Sequence, residues 1–180
     1  MQKDFSFPNP LLRFAQGNDV DELVQLVNSA YRGDVSRQGW TTEADLLDGI
    51  RTHPEHMAQQ INGEKSVMLV LMNSTGYIEG CVYLEDQSPF LYLGMLTVRP
   101  GLQARGSGKK LLAVAEDYAQ FLGMKGIRMT VISVRHELID WYQRRGYSAT
   151  GEKQPFPVEQ ALGIPRQPLE FIVLEKRLSQ

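Results

Sequence analysis

The chain has 180 residues, 42% of them apolar and 22% charged, with a formal net charge of −2; that is enough for one α/β domain with a substantial core and too little for two well-filled ones. The near-zero charge excludes the broad basic field that draws nucleic acid or anionic lipid, so any anion site has to be local. A single cysteine, Cys81, excludes an intrachain disulfide framework and fits a reducing cytoplasm, and no apolar run reaches membrane-spanning length or forms a signal-peptide core.

Leu11 to Ala15 reads as a short first strand. Asn18 or Asp19 then caps a helix whose apolar positions, Val20, Leu23, Val24, Val27, Ala30 and Tyr31, fall on one face. Gly33 to Trp40 is polar and broken by glycines. Thr42 to Ile50 resumes a helical pattern and predicts a second helix with Thr42 as its cap. Ser66 to Met72, Tyr77 to Leu84 and Phe90 to Val98 are three β-rich runs separated by turn residues, which predicts an antiparallel meander.

A glycine-rich loop follows Pro100 and leads into a helix with inward positions Leu111, Leu112, Ala115, Ala119 and Leu122, stopped by Gly123. Ile127 to Ile132 is a strand, Glu137 to Arg144 a short helix ended by Gly146, and Tyr147 the start of another strand. Gly151 to Pro168 holds four prolines and reads as an irregular excursion before a last strand, Leu169 to Glu175. There is no internal repeat.

The chemistry concentrates between Val98 and Leu112. Gly106 and Gly108 let the backbone approach a bulky anion, the amides around Ser107 and Lys109 point outward at the positive end of the helix, and Arg105, Lys109 and Lys110 add charge. This is the composition of a pyrophosphate cradle. The dinucleotide fingerprint needs a third small residue where Leu111 stands, and a Walker loop needs lysine where Ser107 follows Gly106; both fail.

The segment Gln103-Ala104-Arg105-Gly106-Ser107-Gly108 resembles the Gln/Arg-x-x-Gly-x-Gly/Ala signature of the GNAT superfamily. Leu96 to Pro100 looks like the end of that family's fourth strand, and Trp141 to Tyr147 like its later Tyr-x-x-x-Gly-Phe/Tyr element. The resemblance implies an α/β fold of the α+β kind: one domain over residues 1–180, a mixed, mostly antiparallel twisted sheet of about seven strands, and helices on both faces. It implies acetyl-CoA as acyl donor, no metal, and a small-molecule or peptide amine as acceptor. Neither nucleic acid nor membrane is expected as a partner, and a homodimer stays open.

In such proteins the pantetheine arm lies against the fourth strand, here the backbone of Leu96, Thr97 and Val98. The pyrophosphate takes amides from Gln103, Ala104, Arg105, Gly106, Ser107, Gly108 and Lys109, and an amide near Leu96 polarises the thioester carbonyl. Tyr142 matches the tyrosine that faces the coenzyme sulfur, where a phenol of pKa roughly 10 can protonate a departing thiolate. The alternative is a degenerate acyl-CoA-binding sensor or scaffold of the same fold. Two departures bear on that choice. The fourth-strand glutamate that many members use as base is replaced by Leu93-Gly94-Met95, with Glu85 and Asp86 substitutes by position only; and Arg135 stands where asparagine is frequent.

His53, Glu55 and His56 lack a metal-site spacing, His136 reads as a surface or capping group, and Cys81 as a core thiol. Acceptor contacts are expected from Gly33 to Ile50, Glu85 to Phe90 and Gly151 to Pro168, with Trp40, Phe90 and Phe156 as candidate pocket walls.

Overall fold

The computed structural model describes residues 1, 4–157 and 163–179. Its main sheet has seven strands in the order β1-β3-β4-β5-β6-β9-β7: β1 (Leu12–Phe14), β3 (Ser66–Met72), β4 (Ile78–Gln87), β5 (Phe90–Val98), β6 (Gly126–Ile132), β9 (Glu170–Arg177) and β7 (Ser148–Pro155). Every neighbouring pair is antiparallel except β5 with β6. A separate ribbon joins β2 (Leu47–Asp48) to β8 (Ile164–Pro165).

The run Ser66–Met72 is apolar almost throughout because both faces of β3 are covered. Val67, Leu69 and Leu71 pack toward α4 (Ser107–Phe121), with Leu111, Leu112, Ala115 and Tyr118. Met68 and Val70 pack on the other face, toward α1 (Val20–Tyr31) and α3 (Pro54–Asn62), with Leu23, Leu26, Val27, Met57 and Ile61. Side chains alternate across a strand, so a two-sided core reads as an unbroken apolar run.

Two expectations need correction. Thr42 to Ile50 is not a helix: after α2, the single turn Gly33–Ser36, the chain runs irregularly into β2. The Glu43 N–H is held by the Tyr31 carbonyl at 3.0 Å, and the Glu43 side chain is drawn into a buried ion pair, so tertiary bonds override a weak local pattern. The helix forms one segment later, at α3, where His53 accepts from the His56 N–H and Pro54 occupies the first turn. Likewise residues 151–155, read as part of an irregular excursion, belong to β7, whose Lys153, Gln154 and Pro155 pair with Ile172, Phe171 and Glu170. Pro155 sits on an edge strand, which needs no ladder donor there. Residues 158–162 of that excursion lie outside the described residues.

Candidate active site

The site begins where two strands part. β5 and β6 pair at Phe90–Gly126, Leu91–Ile127 and Tyr92–Arg128 only, although β5 continues to Val98 and β6 to Ile132. The Tyr92 and Thr130 hydroxyls, 3.0 Å apart, bridge the base of the fork. The bend originates on β5: its register against β4 shifts between Cys81 and Tyr83, and Met95 adopts a φ of 50°, the signature of an extra residue that kinks a strand away from its neighbour. Gly94 fits here because an added Cβ would lie 3.1 Å from the Tyr92 ring and 3.4 Å from that of Tyr83.

The Arg99 N–H bonds Glu79 O at 2.9 Å. By strand alternation Thr97 also turns its backbone to β4, opposite Cys81, while Leu96 and Val98 turn theirs into the fork. Thr97 thus turns its backbone toward β4 rather than toward the cavity beside Leu96 and Val98. The fork-facing carbonyls are already used: Leu96 O accepts the Tyr31 hydroxyl at 2.7 Å and Val98 O accepts Gln103 Nε2 at 3.1 Å. Leu96 and Val98 lie beyond the last β5–β6 pair, so β6 offers their N–H groups no partner.

Beyond Val98 the chain makes the tight turn Pro100–Leu102, passes Ala104 at φ 65° and Gly106 at φ 88°, and enters α4 at Ser107. A left-handed Gly106 carries little conformational cost. The N–H groups of Gly106 to Lys109 find no backbone acceptor among the described residues; the ladder opens with Lys110 N–H to Gly106 O at 3.0 Å. A Cβ on Gly108 would make ordinary contacts, 3.6 Å to Val98 and 3.7 Å to Trp141, so internal packing does not require glycine there. Four unpaired amides at the positive end of a 15-residue helix, a backbone left bare at Gly108, and the exposed cations Arg105, Lys109 and Lys110 fit a polyphosphate.

Two cavities meet in the fork. The smaller, about 330 Å³, runs along the cradle past Val98, Ala104, Gly106, Gly108 and Trp141. The larger, about 910 Å³, opens on the other side among residues that include Glu43, Arg51, His56, Gln60 and Arg135. Tyr31, Leu96, Leu138 and Tyr142 line both. Tyr142, on α5 (His136–Gln143), is held edge-on by Trp141 and Tyr147 at ring distances of 5.0 and 5.6 Å. Its hydroxyl makes no hydrogen bond among the described residues. Burial, then the nearby Tyr31, pushes its pKa well above that of an ordinary phenol.

A family model described as an acetyltransferase (GNAT) domain matches residues 34–161. The chain belongs to the GNAT acetyltransferase family. A GNAT acetyltransferase from Streptococcus pneumoniae is 23% identical to it, with a TM-score of 0.66 over 93% of this chain and 99% of that one. The ribosomal-protein-S18-alanine N-acetyltransferase from Escherichia coli is 14% identical, with a TM-score of 0.70 over 94% of both chains. A Bacillus anthracis str. Ames protein solved in complex with acetyl coenzyme A is 18% identical, with a TM-score of 0.55 over 67% of both chains. At these identities the likeness establishes the fold. No curated protein matches the sequence.

Within this GNAT frame, Leu96, Val98, Gln103, Ala104, Gly106, Gly108 and Lys109 line the cradle cavity, whereas Thr97, Arg105 and Ser107 do not. The Gln103 side chain is spent internally: Oε1 accepts the Trp40 N–H at 2.9 Å, and Nε2 donates to Thr41 at 2.8 Å as well as to Val98 O. Its own N–H bonds Pro100 O at 3.4 Å. Gln103 therefore ties the loop after α2 to the cradle and has no free amide to offer an anion. Trp40 accordingly sits over the cradle, 6.2 Å from Trp141, and Phe90 and Phe156 face other parts of the fold; none of the three lines the larger cavity. Glu85 and Asp86 are bonded within their own turn, to Gln87 and Ser88, and do not reach the fork.

Three residues of the larger cavity carry charge or proton chemistry that no spacing in the sequence marks. Glu43 is held between Arg32 and Arg135, the latter at 3.4 Å, with all three side chains at most 11% exposed. Arg135 thus contacts a carboxylate of the irregular segment before β2. Arg51 follows β2, and His56 lies in the first turn of α3 with Nδ1 3.2 Å from the Thr52 hydroxyl. Burial, then Arg51 and His53, lower the His56 pKa, favouring the neutral ring at pH 7. No group of three or more His, Cys, Asp or Glu side chains among the described residues is arranged to hold a metal, and no helix among them is long and apolar enough to cross a membrane.

Proposed function

We propose that the whole chain acts as one acetyltransferase domain that moves the acetyl group of acetyl-CoA to a primary amine by direct attack in the fork. The observation that carries this reading is the continuity of three features: the unpaired N–H edge of β5 at Leu96 and Val98, the unpaired amides of Gly106 to Lys109, and the hydroxyl of Tyr142 between the two cavities. Acetyl-CoA supplies an activated thioester. The cradle amides, with Lys109, hold its pyrophosphate. The Leu96 N–H faces the thioester oxygen and stabilises negative charge developing there. Tyr142 donates its proton to the departing sulfur, since burial keeps the phenol protonated.

An ammonium must lose a proton before it attacks. Gly94 offers no carboxylate, and Glu43 is held by two guanidinium groups. His56 is the imidazole lining the acceptor cavity; its neutral form is favoured, and its Nε2 has no partner among the described residues. We assign it the general-base role.

The test is a binding and turnover pair. Calorimetry should show acetyl-CoA bound in preference to ATP and NAD, and a broad amine panel should release free CoA with at least one acceptor. Binding without turnover across the panel would favour a sensor or scaffold of the same fold; absence of acetyl-CoA binding would remove the reading altogether.

A further inference from the structure

Among the described residues, the ionisable side chains lining the larger cavity are Glu43, Arg51, His56, Arg128, Arg135 and Glu152, besides tyrosines. Arg128 is matched by Glu175 at 2.7 Å. Glu43 is shared by Arg32 and Arg135 in a nearly buried cluster. Glu152 lies on the exposed edge strand β7, where it accepts from Gln154. Arg51 has no carboxylate partner among the described residues, and its Nη1 is shut off from solvent without an acceptor.

A buried cationic donor without an acceptor is costly, and a ligand acceptor is one way to match it. Arg51 is well placed for this. Its backbone is pinned: the N–H groups of Arg51 and Thr52 both donate to Asn28 Oδ1 at 2.7 and 3.1 Å, and Asn28 Nδ2 returns a bond to Thr52 O at 3.0 Å. The guanidinium carbon stands 5.8 Å from the centre of the Tyr31 ring, whose hydroxyl reaches Leu96 O at the fork. His56 and Gln60, one helical turn apart on α3, line the same wall, and Gln60 Oε1 is a second buried polar atom without a partner. An unmatched donor and an unmatched acceptor therefore flank the imidazole.

We propose that the acceptor is a small amine that also carries a carboxylate, with the carboxylate on Arg51 and the amine directed to His56 and Gln60. This rests on the acetyltransferase reading above and narrows it to a substrate class: amino acids and related amino carboxylates, in preference to neutral amines. A guanidinium reads a carboxylate through paired N–H donors.

The experiment pairs each of a set of amino acids with its carboxamide, which keeps size and amine while removing the charge, and follows CoA release. Acids should exceed amides in kcat/KM by roughly 10- to 100-fold, as expected for a charged hydrogen-bonded pair. Arg51→Met should shrink that ratio to within about twofold, and Arg51→Lys should restore part of it. Calorimetric titration of acetyl-CoA runs alongside on each variant. Acetyl-CoA binding with amides used as well as acids overturns the carboxylate proposal and leaves the transferase reading standing; failure of acetyl-CoA to bind the wild type overturns both. An acid preference that survives Arg51→Met in a variant that still binds acetyl-CoA also overturns it.

Discussion

The Tyr31 hydroxyl donates a 2.7 Å hydrogen bond to the Leu96 carbonyl, joining the last turn of α1 to the bulged part of β5. This bond orients the strand edge whose N–H is proposed to face the thioester. Tyr31→Phe keeps the ring and leaves a part-buried carbonyl unmatched, so denaturant unfolding should show a loss of about 1 kcal/mol. Turnover should fall by roughly tenfold while the acetyl-CoA Kd changes less, because the cradle is untouched. Unaltered stability and turnover together would mean that the carbonyl needs no help from α1.

Gly108 is bare for a ligand, since the protein has room for a Cβ there. Gly108→Ala should therefore fold with stability equal to or slightly above that of the wild type, as helices favour alanine by up to about 1 kcal/mol. Gly108→Val should weaken acetyl-CoA binding further than alanine does. A graded loss by calorimetry, with unfolding midpoints preserved, is the expected result; equal affinity in all three proteins would take the pyrophosphate away from this loop.

Tyr142→Phe isolates the proposed proton donor, because the ring keeps its packing against Trp141 and Tyr147. With chemistry rate-limiting, kcat should drop by about 10² to 10⁴ with little change in acetyl-CoA affinity. An exposed phenol would ionise near pH 10 and produce an alkaline limb. Burial raises the Tyr142 pKa, so that limb should be missing from the wild-type profile up to that pH. An alkaline decline below pH 10 that vanishes in the Phe variant would show the phenol to be less buried than its surroundings imply.

His56 predicts the opposite side of the profile. Its pKa lies below the ordinary imidazole value of about 6.5, so the neutral base is complete at pH 7 and is lost as pH falls through that lowered value. The acid limb of kcat/KM should accordingly have its midpoint below 6.5, and His56→Gln should remove the limb along with most of the rate. If the limb survives in that variant, proton removal belongs to another group.

Phe156 is a packing residue. It is 8% exposed, clusters with Leu47 and Ile132, and packs its ring against that of Phe171 at a centroid distance of 5.1 Å, tilted by 36°. Phe156→Ala should cost about 3 kcal/mol or more in stability. Acceptor preference among molecules that remain folded should change little. A shifted acceptor preference at unchanged stability would return it to the pocket wall.

The sequence by itself determined those parts of the protein in which neighbours along the chain make the structure. The stripe Val20 to Tyr31, the meander Ser66 to Val98 and the loop into α4 are local patterns, and the anion cradle proposed at Gly106 and Gly108 could be read early because only backbone geometry and helix polarity are involved. Tyr142 was legible for a different reason: Trp141 to Tyr147 resembles a family element. The tertiary structure decided everything that depends on distant partners. Glu43 could not be told from a helix residue until Arg32 and Arg135 closed on it. Thr97 looked equivalent to Leu96 and Val98 until pairing with β4 fixed which backbone edge faces the fork. Gln103 carried a signature residue's identity while its side chain was committed to Trp40, Thr41 and Val98. Arg51, His56 and Gln60 carry no signature, because a cavity wall is assembled from elements whose spacing in sequence bears no relation to their spacing in space.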